Sequence, residues 1–129
     1  MYEVISLLPV PFDSSLFIFY AMVDLEQAYE ILSSMPNAVE VPHFDKPAYK
    51  INGKIFATFN IENKWVTLKL TPEQQVIYCE DTSFYPVPNK WGVYGWTHVD
   101  LNRVKKSAFV EAIETAYNNI IAEKPKRKR

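Results

Sequence analysis

A β-hairpin is encoded near the middle of the chain by the stretch AYKINGKIFATFN, residues 48–60. Asn52 and Gly53 separate two apolar runs, and this dipeptide tolerates the positive φ angles that a two-residue hairpin turn requires. Strict alternation about the turn predicts one side made of Tyr49, Ile51, Lys54, Phe56 and Thr58, and another made of Ala48, Lys50, Ile55, Ala57 and Phe59. Lys50 and Lys54 therefore project in opposite directions. Both sides are largely apolar, so the pattern leaves open which side is buried.

Three further strands are predicted after this hairpin. A second turn at residues 61–64 leads into residues 65–70, where Val66, Leu68 and Leu70 share one face of a strand. Residues 84–88 are extended, residues 89–95 form a turn-rich loop, and residues 96–101 form the last strand. The segment before the hairpin is punctuated by prolines and is predicted to be a loop.

Three helices accompany these strands. The first begins at Asp24, with Gln27 positioned to complete a capping box, and the second begins at Thr71, with Gln74 in the same role. A broad apolar stripe from about residue 105 predicts a final helix that packs on the sheet. The chain is therefore expected to be a single α+β domain in the order α-β-β-β-α-β-β-α, with an antiparallel sheet packed by helices.

Composition excludes most classes of enzyme. A chain of 129 residues with 48% hydrophobic and 22% charged residues is large enough for one core and is globular. Its single cysteine, Cys79, excludes an intramolecular disulfide and a cysteine-based zinc site, and it fits a reducing cytoplasm. Three glycines are too few for a phosphate-cradling loop, and two histidines leave little for acid–base or metal chemistry. We expect a protein that is not an enzyme and that has no catalytic residues, cofactor or metal.

Three local patterns suggest sites, and each also has a structural explanation. His98 and Asp100 face the same side of a strand, but no nucleophile accompanies them, which favours structural polar groups. The GxxG spacing of residues 92–95 occurs in one class of RNA binders, whose loop joins two helices. Between strands it is better explained as a turn. Aromatic residues interleaved with Lys90 over residues 90–96 could stack on bases, grip a partner or anchor the core.

Charge is unevenly distributed along the chain. Five of the 14 basic residues lie in the last six positions, and without them nine basic residues face 15 acidic ones, so residues 1–123 carry a net charge of −6. Within that part, residues 42–106 carry +3. The C-terminal segment is interpreted either as a solvated terminus or as an electrostatic arm that binds nucleic acid.

The first 21 residues are apolar and aromatic, yet their composition argues against a membrane span. They contain no Lys or Arg, and Glu3, Asp13 and two prolines interrupt the roughly 20 apolar residues that a spanning helix needs. They are either an extra strand or arm, or the product of a translation start assigned too early, since Met22 precedes the first helix. We expect a cytoplasmic protein without a membrane partner, divided into an extension (1–21), a domain (22–123) and a basic tail (124–129).

From about residue 24 the chain resembles the MmcQ/YjbR family, small proteins with a CyaY-like fold. The similarity covers roughly residues 24–122 and rests on an ordered series of short segments. They are HFDKPAYK at 43–50, NGKIFA at 52–57, LKL at 68–70, FYP at 84–86, KWG at 90–92, GW at 95–96 and DL at 100–101. The resemblance implies the α-β-β-β-α-β-β-α arrangement that the residue patterns also predict.

Members of this family are commonly described as DNA-binding, by analogy to winged folds. The resemblance therefore implies DNA binding, and together with the composition it leads us to expect a non-enzymatic, weakly sequence-selective protein whose partner is double-stranded DNA. The family supplies no established contact residues, so charge and predicted geometry select the candidates: Lys50, Lys54, Lys69, Lys90, Trp91, Lys124, Lys126, Arg127, Lys128 and Arg129. The alternative is a protein-interaction module that docks a partner on the sheet or on the loop at residues 91–96.

Overall fold

The computed structural model describes residues 23–123, which contain ten helices and strands. The expected N-terminal extension (1–21) and basic tail (124–129) lie outside the described residues. In chain order the elements are α1 (Leu25–Ser34), β1 (Val39–His43), β2 (Lys46–Ile51), β3 (Lys54–Asn60), β4 (Trp65–Lys69), α2 (Pro72–Tyr78), β5 (Phe84–Pro86), α3 (Lys90–Val93), β6 (Trp96–Asp100) and α4 (Lys106–Ala122).

The strands form one six-stranded sheet in the order β1-β2-β3-β4-β6-β5. Every neighbouring pair is antiparallel. The α+β class and the predicted order of the major elements are therefore confirmed, and two elements are added to them. These are β1 at one edge of the sheet and the short helix α3.

The prediction of a loop before the hairpin was wrong for residues 39–43, which form β1. Pro42 lies opposite Pro47 in the β1–β2 ladder. An edge strand tolerates proline because one of its sides needs no backbone donors. Pro47 is tolerated in β2 because the register of β2 with β3 starts only at Ala48.

The turn at Asn52 and Gly53 is confirmed, but the predicted alternation of the hairpin fails beyond it. Both turn residues have positive φ, 54° and 78°, as a two-residue turn requires. The register then shifts, because Lys50 pairs with Ile55 whereas Tyr49 pairs with Ala57. Phe56 is the extra residue of a β-bulge. The bulge moves residues 57–59 to the opposite faces from those that strict alternation predicts.

Both predicted capping boxes are present at the helix starts. The Asp24 carboxylate accepts from the backbone N–H of Gln27 at 2.7 Å, and the Thr71 hydroxyl accepts from that of Gln74 at 3.1 Å. Each glutamine side chain accepts from the cap residue's own backbone N–H in return.

Among residues 23–123, no helix has the length and apolar character needed to cross a membrane.

One face of the sheet is covered by helices, and we call it the helix-covered face. Five side chains of α4 are fully or almost fully buried on it, namely Phe109, Ala112, Ile113, Ala116 and Ile120. Phe56 lies edge-on to Tyr117 of α4 at 5.7 Å between ring centroids, and Ala28 and Leu32 of α1 join the same core. Their burial leaves the opposite, open face of the sheet to carry the half-exposed side chains of the central strands.

Candidate ligand-binding groove on the open face of the sheet

A groove with a volume of about 510 Å³ lies on the open face. We call it the aromatic groove, since five of its nine lining residues carry an aromatic ring, and two of those rings are imidazoles. Its lining residues are His43, Phe44, Ile55, Thr58, Thr67, Val87, Trp91, Trp96 and His98.

The floor of the groove is set by the register of three central strands. Thr58 of β3 lies opposite Thr67 of β4, and Thr67 lies opposite His98 of β6. Directly opposed residues of antiparallel strands point to the same face, so these three side chains form one row across the sheet. Trp96 precedes His98 by two residues and therefore shares its face.

His98 is held rigidly in this row. Its Nδ1 atom lies 2.8 Å from the Thr67 hydroxyl oxygen, and its ring stacks on Trp65 at 4.4 Å between centroids. Burial lowers the pKa of the imidazole below its ordinary value of 6.5, so the ring is neutral at pH 7. The carboxylate of Asp100 accepts instead from the backbone N–H of Asn102 at 2.9 Å. His98 thus has the structural contacts that its sequence context favours and is not oriented by Asp100.

One wall of the groove is the short helix α3, which sequence patterns predicted only as a turn-rich loop. The Asn89 side chain caps it by accepting from the backbone N–H of Trp91 at 2.9 Å. Trp91 itself is 52% exposed. Lys69 of β4 secures the end of the helix, because its Nζ donates to the carbonyl oxygen of Tyr94 at 3.0 Å.

Both glycines of the GxxG segment hold this wall close to the sheet. A Cβ at Gly92 would lie 2.0 Å from the carbonyl oxygen of Val87, and one at Gly95 would lie 1.9 Å from that of Leu70. Gly95 also has a φ of 107°. The segment joins α3 to a strand rather than to a second helix. Close backbone packing explains both glycines, in agreement with their interpretation as turn residues.

The opposite wall is the tip of the β1–β2 hairpin. His43 ends β1 and Phe44 follows it with a φ of 60°. The two rings meet edge-on at 4.7 Å. Phe44 remains 92% exposed although it lines the groove, so a ligand in the groove would have a large unshielded ring beside it.

Three of the predicted strand and loop lysines lie next to residues of the groove, although none of them lines it. Lys50 lies opposite the groove residue Ile55, and Lys69 lies opposite the groove residue Trp96. The ammonium group of Lys90 is 5.5 Å from the centre of the Trp91 ring. These three lysines, Lys50, Lys69 and Lys90, are called the groove lysines below.

Lys54 does not join them. It lies opposite Ile51, a buried residue of the helix-covered face, and its ammonium group forms an ion pair with Glu123 after the end of α4. Lys50 and Lys54 thus point to opposite faces, as their positions about the turn predicted. The remaining candidates, Lys124, Lys126, Arg127, Lys128 and Arg129, lie outside the described residues.

The groove favours a ligand that is both flat and negatively charged. None of the described residues that line it is an aspartate, glutamate, lysine or arginine, so the positive charge comes from the groove lysines beside it. The nearest acidic group in sequence is Asp45 at the hairpin tip, and Lys46 neutralises it in an ion pair of 3.2 Å. Lys46 lowers the pKa of that carboxyl below its ordinary value. Aromatic rings with cations beside them suit planar anionic ligands.

Metal and thiol chemistry find no support in the part of the chain that the structure describes. Within residues 23–123, no group of three His, Cys, Asp or Glu side chains is placed to hold a metal ion. Cys79 lies at the end of α2, and burial raises the pKa of its thiol. This position gives no helix N-terminus to activate a thiolate.

Sequence patterns identified the groove only in part. They identified Trp91, Lys90, Lys69 and the aromatic neighbours of the loop as candidate binding residues. Alternation along β4 also places Thr67 on the same face as Lys69. They missed Thr58 because the bulge in β3 reverses its face. They missed Phe44 because the prolines before the hairpin predict a loop there rather than a strand that ends beside it. No local signal places the tip of the first hairpin opposite α3.

Comparisons with known proteins agree with this fold. The family model described as YjbR matches residues 33–119. The crystal structure of a Deinococcus radiodurans protein, DR2400, which carries a DUF419 domain, superposes with a TM-score of 0.64. The two sequences are 18% identical, and the match covers 81% of this chain and 82% of that one. At this identity the likeness concerns the fold alone. No curated protein matches the sequence.

Proposed function

The chain belongs to the YjbR family, and on that premise we propose that it is a non-enzymatic, cytoplasmic DNA-binding protein of low sequence selectivity. The phosphates would meet the groove lysines on the open face, and the basic tail at residues 124–129 would add a sequence-independent attraction. The observation that carries this proposal is that Lys50, Lys69 and Lys90 each neighbour a residue of the groove, whose described lining contains no carboxylate.

The overall charge argues for modest affinity. Residues 1–123 carry a net charge of −6, whereas the last six residues carry five positive charges. A polyanion is therefore attracted locally, at the groove and the tail, and repelled by the rest of the surface. Binding should be tightest at low ionic strength and should weaken steeply as salt is added, because each neutralised phosphate releases a counterion.

A fluorescence titration of duplex DNA at two ionic strengths tests the proposal. The logarithm of the binding constant should fall with the logarithm of the salt concentration by about 0.9 for each phosphate contacted. Deleting Lys124–Arg129 should lower both the affinity and this slope. A tail deletion that leaves both unchanged would remove the tail from the interface.

Charge-matched variants separate the two faces of the sheet. Lys50→Gln and Lys106→Gln each remove one positive charge, but Lys106 begins α4, which packs on the helix-covered face. The proposal predicts that Lys50→Gln weakens binding and reduces the salt slope by about one, whereas Lys106→Gln has a smaller effect. Equal effects would show that the open face is not the DNA-binding surface.

A second candidate function is docking of a protein partner in the same groove. Its support is the exposure of two aromatic side chains that line the groove, 92% for Phe44 and 52% for Trp91. Exposed aromatic residues are common anchors of protein interfaces. This function predicts partner binding that Trp91→Ala weakens and that salt hardly changes, the opposite of the salt dependence expected for DNA.

A further inference from the structure

We propose that the aromatic groove binds unpaired nucleotides, so that the protein prefers single-stranded DNA to duplex. The inference rests on the proposed function and specifies its substrate class. Its basis is the combination of exposed aromatic rings in the groove with the three groove lysines next to it. A surface that contacts only phosphates does not need such rings.

The rings of the groove are arranged for stacking rather than for closing a core. Trp91 is 52% exposed and Phe44 is 92% exposed, so each has ring surface that no protein atom covers. Trp96 and His98 are only half-buried and lie between them on the open face. Bases stack on such aromatic surfaces without regard to sequence, since every base has a π-face.

Three lysines close to the groove would contact the phosphates of a bound strand. The Lys90 ammonium group lies over the Trp91 ring, 5.5 Å from its centre, while Lys50 and Lys69 lie opposite two other groove residues. Lys69 uses one hydrogen bond on the carbonyl oxygen of Tyr94, and an ammonium group has three donors. Lys50 and Lys69 can therefore contact phosphates of a strand whose bases lie in the groove. A base on Trp91 would stack on the ring face that the Lys90 ammonium group does not cover.

An intact duplex cannot use this arrangement. Its base faces are covered by the adjacent base pairs, so they cannot reach a tryptophan ring without unstacking, which costs a few kcal/mol per step. A peptide could use the aromatic surface, but the groove lysines and the absence of carboxylates among the described lining residues favour a ligand that carries negative charge along its length. A single strand satisfies both requirements.

Removing the bases from a strand while keeping its phosphates provides the test. Three labelled ligands of equal length, about ten nucleotides, are compared by fluorescence anisotropy at one low ionic strength. They are an oligothymidylate, the same sugar-phosphate chain with abasic sites, and a duplex. The oligothymidylate should bind the full-length protein at least about five-fold more tightly than the abasic strand, the size expected for one stacked base.

Variants of α3 connect this preference to the groove. Trp91→Ala should remove most of the difference between the oligothymidylate and the abasic strand, and Trp91→Phe should restore part of it. Val93→Ala is the matched control, because Val93 lies on the same helix, is 73% exposed and does not line the groove. Circular dichroism on each variant verifies that it is folded.

The outcomes distinguish the inference from the proposed function. If the abasic strand binds as tightly as the oligothymidylate, or if Trp91→Ala and Val93→Ala behave alike, the groove does not hold bases and the inference is wrong. Duplex binding with the expected salt slope would then leave the proposed function intact. If neither DNA form binds at low salt, both proposals fail, and salt-insensitive capture of a peptide would favour the protein-docking alternative.

Discussion

Gly95 lies where the chain between α3 and β6 passes closest to the end of β4. Its φ of 107° is a conformation that L-residues rarely adopt, and a Cβ there would lie 1.9 Å from the carbonyl oxygen of Leu70. Gly95→Ala should therefore lower the free energy of unfolding by at least about 2 kcal/mol. Gly53→Ala is the control, since its φ is 78° but nothing lies within 4 Å of the added Cβ.

For Gly53→Ala we expect a smaller loss of about 1 kcal/mol, from backbone strain alone. Urea denaturation of both variants measures the difference. A Gly95→Ala protein no less stable than Gly53→Ala would mean that the α3–β6 connection is looser than the structure shows.

His98 should make stability depend on pH in a defined window. Burial lowers its pKa below the ordinary 6.5, so the unfolded chain takes up a proton near pH 6.5 while the folded protein stays neutral. The free energy of unfolding should therefore fall as the pH decreases below about 6.5, until the folded protein is protonated too. Urea denaturation at pH 7.5 and pH 5.5 should show this loss in the wild type and a smaller loss in His98→Gln. An identical pH dependence in both proteins would assign the effect to other groups.

At the scale of elements, the β-bulge in β3 decides which side chains of the hairpin enter the core. It turns Phe59, which is 1% exposed, towards the helix-covered face opposite Val66, and it turns Thr58 towards the groove. Phe59→Ala should lower the free energy of unfolding by about 3 to 5 kcal/mol, and Thr58→Ala by less than about 1 kcal/mol. Thermal and urea denaturation measure both. Comparable losses would contradict the assignment of faces.

At the scale of the whole molecule, a single core connects every layer. Its buried side chains extend from Val23, before α1, to Ile120 in α4, and they include residues of β2 to β6. Because no part of the domain has a separate core, unfolding should be a single cooperative transition. Far-ultraviolet circular dichroism, which follows the helices, and tryptophan fluorescence, which follows β4, α3 and β6, should give the same midpoint in urea. Two separated midpoints would show that the open-face elements unfold independently.

Sequence patterns predicted the elements whose signals are local. The capping boxes at Asp24 and Thr71, the turn at Asn52 and Gly53 and the apolar stripe of α4 each depend on interactions between residues a few positions apart. The class of fold followed from the order of these signals, and the family from the resemblance of the short segments between residues 43 and 101. Strand β1 was missed because Pro42 is a poor strand former, and its position at the sheet edge, which makes the proline acceptable, is a property of the whole sheet.

The groove, by contrast, depends on contacts between residues far apart in the chain. Thr67 and His98 are separated by 31 positions, and Lys54 meets Glu123 across 69. Local patterns could assign Lys50, Lys54, Lys69 and Lys90 to their strands and loop, and they already placed Lys50 and Lys54 on opposite faces. Only the strand register shows that Lys50 and Lys69 lie opposite groove residues. Secondary structure is governed mainly by neighbours along the chain and so can be inferred from them. The shape and charge of a surface are governed by packing between distant segments, and here that packing alone brings the rings and lysines together.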